Sequence, residues 1–113
     1  MQAFELARLL EKSTQSDRAY LEFLRVPALS LGIYHLPSGS RDLQQPHSED
    51  EVYYVLSGRS RFWVGGKQVD VQPGTLLFVE RAVEHRFFDI TEDLTVLVLF
   101  APAEGSRSQE QTL

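Results

Sequence analysis

Side chains with metal-binding chemistry are concentrated in front of one predicted strand. The segment QQPHSEDEVYYVLSG carries one histidine and three carboxylates ahead of an apolar run. Because side chains two positions apart in an extended chain share a face, Gln45, His47, Glu49 and Glu51 lie on the face that continues into core residues. A polar group buried there without a partner costs roughly 1–3 kcal/mol, and a cation is one possible partner. We expect Glu49 and Asp50 to lie at the mouth of such a site.

The other two histidines lie in predicted strands elsewhere in the chain. His85 shares a strand face with Phe87, which is compatible with an inward direction. It could equally be a hydrogen-bonded core histidine. His35 alternates in step with Leu31 and Ile33, so it either packs, which is the favoured interpretation, or lines a pocket as a substrate contact or general base.

Glu51 also has a structural alternative, which is an ion pair with Arg61 or Arg86. A buried ion pair needs good geometry and further hydrogen bonds to offset the cost of desolvation. We expect Arg59, Arg61 and Arg86 to be solvated, although one directed inward could hold a substrate carboxylate with its guanidinium group.

The elements that must position these residues are mostly short strands. An amphipathic helix is predicted over Ala3–Lys12 and a strand over Tyr20–Leu24. From Ala28 the apolar period becomes two, which is typical of strands. Turn residues, among them Gly58 and the Gly65-Gly66 pair, then separate predicted strands at 28–36, 51–57, 61–64, 68–71, 75–79, 83–90 and 94–100.

Seven or eight short strands with little helix indicate an antiparallel sandwich or barrel. The predicted fold class is therefore all-β, a small antiparallel β-barrel or jelly roll with a short N-terminal helix. We divide the chain into an N-terminal helix and lead-in strand (1–27), a β-barrel (28–101) and a flexible C-terminal tail (102–113). The tail is assigned from its polar composition, which offers little to a core.

Composition excludes several classes of function. The net charge is −5, and the lysines and arginines form no basic stripe, so we predict no nucleic-acid partner. The chain has no cysteine, which removes disulfides and thiolate chemistry. No apolar run approaches the roughly 20 residues that span a bilayer, and the N-terminal residues lack the apolar stretch of a signal peptide. We therefore predict no membrane association and a cytoplasmic location.

The spacing of the opening segment resembles the first signature of the cupin superfamily. That signature reads glycine, five residues, His-x-His, three residues, glutamate, six residues and glycine. Its positions match Gly39, Gln45, His47, Glu51 and Gly58 at every spacing, with glutamine in place of the first histidine.

A second stretch resembles the second cupin signature, which places a histidine and an asparagine at fixed distances after a glycine. Gly74 and His85 match, Asp89 stands in place of the asparagine, and Glu80-Arg81-Ala82 replaces the usual Pro-x-Gly. The resemblance covers about Leu29 to Phe100. Over this range the chain resembles small single-domain cupins of the cupin 2-like type, whose conserved barrel is a double-stranded β-helix.

The resemblance implies a metal site with His47, Glu51 and His85 as ligands and Gln45 as a possible fourth ligand through its amide oxygen. Two imidazoles and one carboxylate with open positions resemble the facial triad of non-haem iron(II) oxygenases. The implied cofactor is a divalent transition metal: iron or manganese, with zinc or nickel as ions that a purified protein could carry. No catalytic residue is predicted.

Three functions are compatible with this resemblance. The first is a metal-dependent oxygenase or isomerase acting on a small organic molecule. The second is a non-catalytic module that binds or senses a small molecule in the barrel. The third is a structural dimerising domain with a degenerate metal site. The family hosts many reactions, so the fold names none of them. A small-molecule ligand in the barrel is expected, and size and family habit favour a homodimer.

Overall fold

One helix and six antiparallel strands make up residues 1–44 and 46–106, which are the residues described by a computed structural model. Gln45 and residues 107–113 lie outside the described residues. The strands join in the order β1-β2-β6-β3-β4, with β5 paired to β3, and the predicted all-β barrel or jelly-roll class is confirmed. The elements are α1 Leu6–Gln15, β1 Tyr20–Val26, β2 Leu29–Leu36, β3 Asp50–Val64, β4 Lys67–Val71, β5 Leu76–Val79 and β6 His85–Ala101.

Two long strands replace four of the predicted short ones. β3 continues through Gly58 and β6 continues through 91–93, so the predicted breaks at both places are wrong. Gly58 has a φ of 96° and lies among register shifts between β3 and β6, which bend the pair without ending it. A Cβ atom at position 58 would collide with the backbone of Asp93 and Leu94, so glycine permits the close crossing.

The interior is filled from alternate positions of the strands. Tyr34 and Leu36 of β2 belong to the core, so strand alternation directs His35 to the opposite face. His35 Nδ1 lies 3.2 Å from Thr95 Oγ1. The option that His35 lines the pocket is therefore wrong. The buried core consists of Tyr34, Leu36, Tyr53, Val55, Phe62, Val71, Val79, Phe87, Ile90, Leu94, Val96, Val98 and Phe100.

The first strand extends this core at the open side of the barrel. β1 pairs with β2, and the Tyr20 ring lies over Gly32, where a Cβ atom would collide with it. The Tyr20 ring centroid is 6.4 Å from that of Tyr34 and 6.2 Å from that of Phe100, both edge-on. Tyr20 therefore forms a wall of the cavity that lies next to the candidate site.

The helix lies later in the chain than predicted. It begins at Leu6 and not Ala3, and Phe4, ahead of the helix, packs against Phe23 with ring centroids 5.0 Å apart. It packs on β1 and β2 and buries Leu9 and Ser13, which share one face four residues apart. Within residues 1–44 and 46–106, no helix combines the length and the apolar content needed to cross a membrane.

Residues 102–106, where the sequence predicted a flexible tail, make defined contacts. Ala103 is 2% exposed, and its N–H donates to the Pro27 carbonyl at 3.4 Å. The Glu104 N–H donates to Ser30 Oγ at 2.9 Å, while Arg25 donates to the Glu104 carbonyl at 2.6 Å. This C-terminal segment, residues 102–106, therefore closes over the end of the barrel where the predicted ligands lie.

Candidate metal centre

The three predicted ligands converge inside the barrel. One ligand atom from each of His47, Glu51 and His85 can be chosen so that all lie within 4.8 Å of one another. His47 precedes β3, Glu51 is the second residue of β3, and His85 begins β6. Glu51 pairs with Phe100 and His85 pairs with Val64, so the two lie at opposite ends of the β3–β6 ladder. They meet because the ladder bends over on itself.

Glu51 and His85 form the buried half of the group. Glu51 Oε1 lies 3.0 Å from His85 Nε2, and both side chains are 1% exposed. His85 Nδ1 lies 2.8 Å from the Val83 carbonyl oxygen, which can only accept. Nδ1 therefore carries the proton, and in the neutral ring Nε2 presents a lone pair towards Glu51.

The buried Glu51 carboxylate lacks a hydrogen-bond partner for its negative charge among the described residues. Among the described residues, no donor is well directed at either of its oxygens, even though His85 Nε2 is close. Burial lowers the pKa of His85, but the Glu51 carboxylate and the Val83 carbonyl outweigh that effect and raise it above its ordinary value. The pair is thus built to hold a positive charge, which a metal ion can supply.

His47 forms the more accessible half of the group. Its side chain is 20% exposed, and its ring packs edge-on against Phe100 with centroids 4.7 Å apart. Its Nδ1 lies 3.6 Å from Glu104 Oε2. A carboxylate on the far nitrogen is the usual device for orienting a metal-binding imidazole, and it leaves Nε2 facing the group. Burial raises the pKa of Glu104, although His47 opposes that shift.

Glu104 was missed by sequence reasoning. It follows the last strand in a polar segment, where no periodicity indicates direction. The position of its carboxyl group depends on the Glu104 backbone, which is hydrogen-bonded to the side chains of Ser30 and Arg25. No signal in the sequence distinguishes it from the solvated glutamates around it.

The structure describes Gln44 but not Gln45. Because Gln45 lies outside the described residues, its assignment as a fourth ligand stays a prediction. Gln44 Oε1 lies 3.2 Å from His47 Nε2 and accepts a hydrogen bond from the Tyr53 hydroxyl at 3.0 Å. That hydroxyl is also 3.1 Å from His85 Nε2. Burial and then the Glu51 charge raise the pKa of Tyr53, so its phenol remains a donor.

Glu49 does not lie at a solvated mouth, as the sequence had suggested. It is 2% exposed, and its Oε1 accepts a hydrogen bond from the Gly105 N–H at 3.1 Å, while Ser48 Oγ donates to its Oε2. The expectation failed because the C-terminal segment covers this position. Asp50 is half-buried and accepts a hydrogen bond from the Arg81 N–H at 3.0 Å.

The alternative ion pair between Glu51 and an arginine is wrong. The Arg61 guanidinium lies 3.7 Å from Asp70 and 5.2 Å from the Phe88 ring centroid. Arg86 lies 5.2 Å from the ring centroid of Trp63. Both arginines are exposed, and Glu51 meets His85 instead.

Two spaces adjoin the group. The central cavity has a volume of about 370 Å³ and contains His47 in its wall. An outer cleft of about 650 Å³ contains His85 in its wall, and Leu43 and Gln44 line both spaces. The described residues that line the central cavity include no lysine or arginine; they are Tyr20, Tyr34, Leu43, Gln44, His47, Val98, Phe100 and Glu104.

Comparison with known proteins places this geometry in context. The sequence model of the cupin domain family matches residues 32–101. An uncharacterised protein of Streptomyces coelicolor is 45% identical over 105 residues, which cover 93% of this chain and 100% of that protein. An oxalate-binding protein of Thermotoga maritima is 33% identical over 82 residues, which cover 72% of this chain and 60% of that protein.

The fold has counterparts among solved structures. A crystal structure of a Thermus thermophilus protein superposes with a TM-score of 0.72 at 23% sequence identity. The match covers 91% of this chain and 99% of that one. At this identity the similarity concerns the fold alone.

Proposed function

This chain belongs to the cupin domain family, and we propose that it binds one divalent transition-metal ion through His47, Glu51 and His85 and presents it to a small organic molecule in the central cavity. The observation that carries the proposal is the buried Glu51 carboxylate. It lies 3.0 Å from His85 Nε2 and receives no well-directed hydrogen bond from the described residues. Without a cation, this arrangement costs folding free energy.

The donor set favours particular ions. Two imidazole nitrogens and one carboxylate oxygen suit iron(II), manganese(II) and neighbouring ions, and they leave positions open for a ligand. A bound ion of this kind would supply Lewis-acid polarisation of a carbonyl or carboxylate oxygen. The identity of the ion is part of the proposal.

The protein's own residues hold and shield the site. The Val83 carbonyl orients His85 through a hydrogen bond of 2.8 Å, and the Glu104 carboxylate lies 3.6 Å from His47 Nδ1, where it favours the same ring direction electrostatically. The protonated phenol of Tyr53 lies within hydrogen-bond distance of His85 Nε2 and Gln44 Oε1, so it can stabilise an acceptor there. Aromatic side chains of Tyr20, Tyr34 and Phe100 line the central cavity beside His47.

A small oxygen-rich acid is the ligand class with the most support. The Thermotoga maritima relative is named for binding oxalate. The central cavity has a carboxylate wall at Glu104, and none of the described residues that line it is a lysine or arginine, so among these residues the metal ion is the counter-charge for an anionic ligand. Binding of such a ligand should therefore require the ion.

Metal analysis tests the first step. Protein purified without chelator should carry a single ion per chain, measured by elemental analysis, and His47→Ala and His85→Ala should lose it while circular dichroism shows an intact fold. His35→Ala is the matched control, because His35 faces away from the core. Unchanged metal content in His85→Ala would contradict the assignment.

A binding role without turnover is a second candidate, and the name of the Thermotoga maritima relative favours it. Calorimetric titration with oxalate and related acids, in metal-loaded and chelated protein, measures binding. Oxygen consumption and product analysis on the same acids measure turnover. Metal-dependent binding with no consumption or product would favour the binding module, whereas turnover lost in His85→Ala would favour the enzyme.

A further inference from the structure

We infer that Gln44 supplies the fourth donor of the metal centre through its side-chain oxygen, and that Asp42 positions it. Gln44 lies one residue before the position that matches the family signature. The inference rests on the proposed function, since it concerns the same site. Its evidence is a set of contacts made by the segment between Gly39 and His47.

Asp42 is the fixed point of this segment. It is 9% exposed and accepts four hydrogen bonds from three residues. The Tyr34 hydroxyl donates at 2.8 Å and the Phe87 N–H at 2.9 Å, so Asp42 is tied to β2 and β6. The Gln44 backbone N–H and side-chain Nε2 donate at 3.1 and 2.9 Å. Both ends of Gln44 are thereby held by one buried carboxylate.

These bonds determine which end of the Gln44 amide faces the centre. An ionised carboxylate can only accept hydrogen bonds, so the NH₂ group of Gln44 must face Asp42. The amide oxygen is then directed the other way, to 3.2 Å from His47 Nε2 and 3.0 Å from the Tyr53 hydroxyl. An oxygen, and not a nitrogen, is presented to the group.

The distances between donors suit a shared ion. At metal–ligand bond lengths of about 2.1 Å, two donors at right angles lie about 3 Å apart. Gln44 Oε1 and His47 Nε2 are 3.2 Å apart, and Glu51 Oε1 and His85 Nε2 are 3.0 Å apart. The Tyr53 hydroxyl lies between the two pairs, 3.0 Å from Gln44 Oε1 and 3.1 Å from His85 Nε2. Gln44 Oε1 is therefore within shared-ion distance of His47 Nε2, one of the three residues whose ligand atoms converge.

Cobalt(II) titration tests this assignment. Calorimetry gives the affinity and the visible d–d spectrum reports the coordination number for the wild type, Gln44→Met, Gln45→Ala and Gln68→Ala. Gln44→Met keeps the side-chain length but removes the oxygen, so we expect affinity to fall at least about tenfold and the d–d bands to change. Gln68→Ala is the control, because its exposed amide contacts only Arg61 among the hydrogen bonds described, and it should match the wild type.

The outcomes separate the two proposals. If Gln44→Met binds and absorbs like the wild type, or if Gln45→Ala alone shows the loss, Gln44 is not the donor while the metal site itself stands. A wild-type protein that binds no cobalt would overturn the proposed function and this inference with it.

The positioning role of Asp42 has its own test. In Asp42→Asn the new amide can donate as well as accept, so the Gln44 amide is no longer forced into one orientation. We expect a weaker cobalt affinity, and the double variant with Gln44→Met should bind no more weakly than Gln44→Met alone. Losses that multiply in the double variant would overturn the positioning role. Should Asp42→Asn fail to fold by near-ultraviolet circular dichroism, a milder Tyr34→Phe variant, which loosens Asp42 by one hydrogen bond, takes its place with the same criterion.

Discussion

At the scale of residues, this site is defined by which atoms face each other. His85 Nε2 and Glu51 Oε1 face each other across 3.0 Å, and both side chains are 1% exposed. In an ordinary core, such a pair would be replaced by apolar groups or would be satisfied by further donors. Here the histidine is tied on its far side to Val83 and cannot turn away. We propose that a bound cation completes this arrangement.

Glu51→Gln should separate metal binding from stability. The amide removes a buried charge that lacks directed hydrogen bonds, so the metal-free variant should unfold with a free energy about 1–3 kcal/mol higher than the metal-free wild type. It should also lose metal binding. Denaturant unfolding of chelated protein measures the first effect. A lower unfolding free energy in the variant would mean that Glu51 serves a structural ion pair with protonated His85.

Glu104→Gln should weaken the site without touching a ligand. The carboxylate lies 3.6 Å from His47 Nδ1 and favours the imidazole orientation that directs Nε2 to the group. Loss of such a partner typically costs 10–100-fold in metal affinity, which calorimetric titration would detect. Glu92→Gln is the control, since Glu92 pairs with Arg59 at the exposed surface. Equal affinity in the two variants would contradict an orienting role for Glu104.

At the scale of elements, the bend in β3 and β6 is what assembles the site. Glu51 and His85 lie at opposite ends of the ladder that these strands form, so a flat ladder would hold them far apart. Register shifts around Gly58 allow both strands to turn together. The glycine of the signature is therefore a structural residue that helps to assemble the candidate metal site from a distance.

Gly58→Ala should disrupt both the fold and the site. A Cβ atom there meets the backbone of Asp93 and Leu94, and the φ of 96° is itself strained for alanine. We expect a loss of about 1–3 kcal/mol or more in unfolding free energy, together with weaker metal binding, measured by thermal unfolding and titration. Gly66→Ala separates the causes, because its φ is 85° but nothing lies within 4 Å of its added Cβ. Similar losses in both variants would mean that the positive φ, and not the collision of the Cβ atom with the backbone of Asp93 and Leu94, causes the effect.

At the scale of the whole molecule, one outer face is apolar. Phe78 and Leu76 of β5 are 62% and 67% exposed, and they pair with Val52 and Tyr54 of β3. Tyr54 in turn pairs with Leu97 of β6. Residues paired across neighbouring strands share a face, so the patch continues across three strands. An exposed apolar patch of this kind is typical of an interface, and it gives the predicted homodimer a definite location.

Light scattering should find a dimer that depends on this face. The double substitution Leu76→Glu with Phe78→Glu places like charges on the patch, and we expect it to shift the protein to monomer while metal content stays unchanged. Leu6→Glu is the control, because Leu6 is also exposed but lies at the start of the helix. A monomeric wild type would contradict the dimer, and a dimeric double variant would place the interface elsewhere.

Local pattern accounts for what the sequence determined by itself. The alternation of residues in strands indicated an all-β fold, and the spacing of His47 and Glu51 placed both on one inward face. His85 was assigned as their distant partner only through the resemblance to the second cupin signature, because its own strand pattern is equally compatible with a core histidine. The first two inferences depend on neighbours within a few positions, which a sequence displays directly.

Only the tertiary structure decided how the rest is arranged. Several features depend on segments that meet across the barrel. They are the continuity of β3 through Gly58, the burial of Glu49, and the contacts of Gln44, Asp42 and Glu104. A one-residue change of register exchanges the inward and outward faces of an extended chain. Around Asp42 the direction of the chain is set by the bonds of its carboxylate to β2 and β6. Such bonds exist only after the strands have closed, so no short pattern could have revealed them.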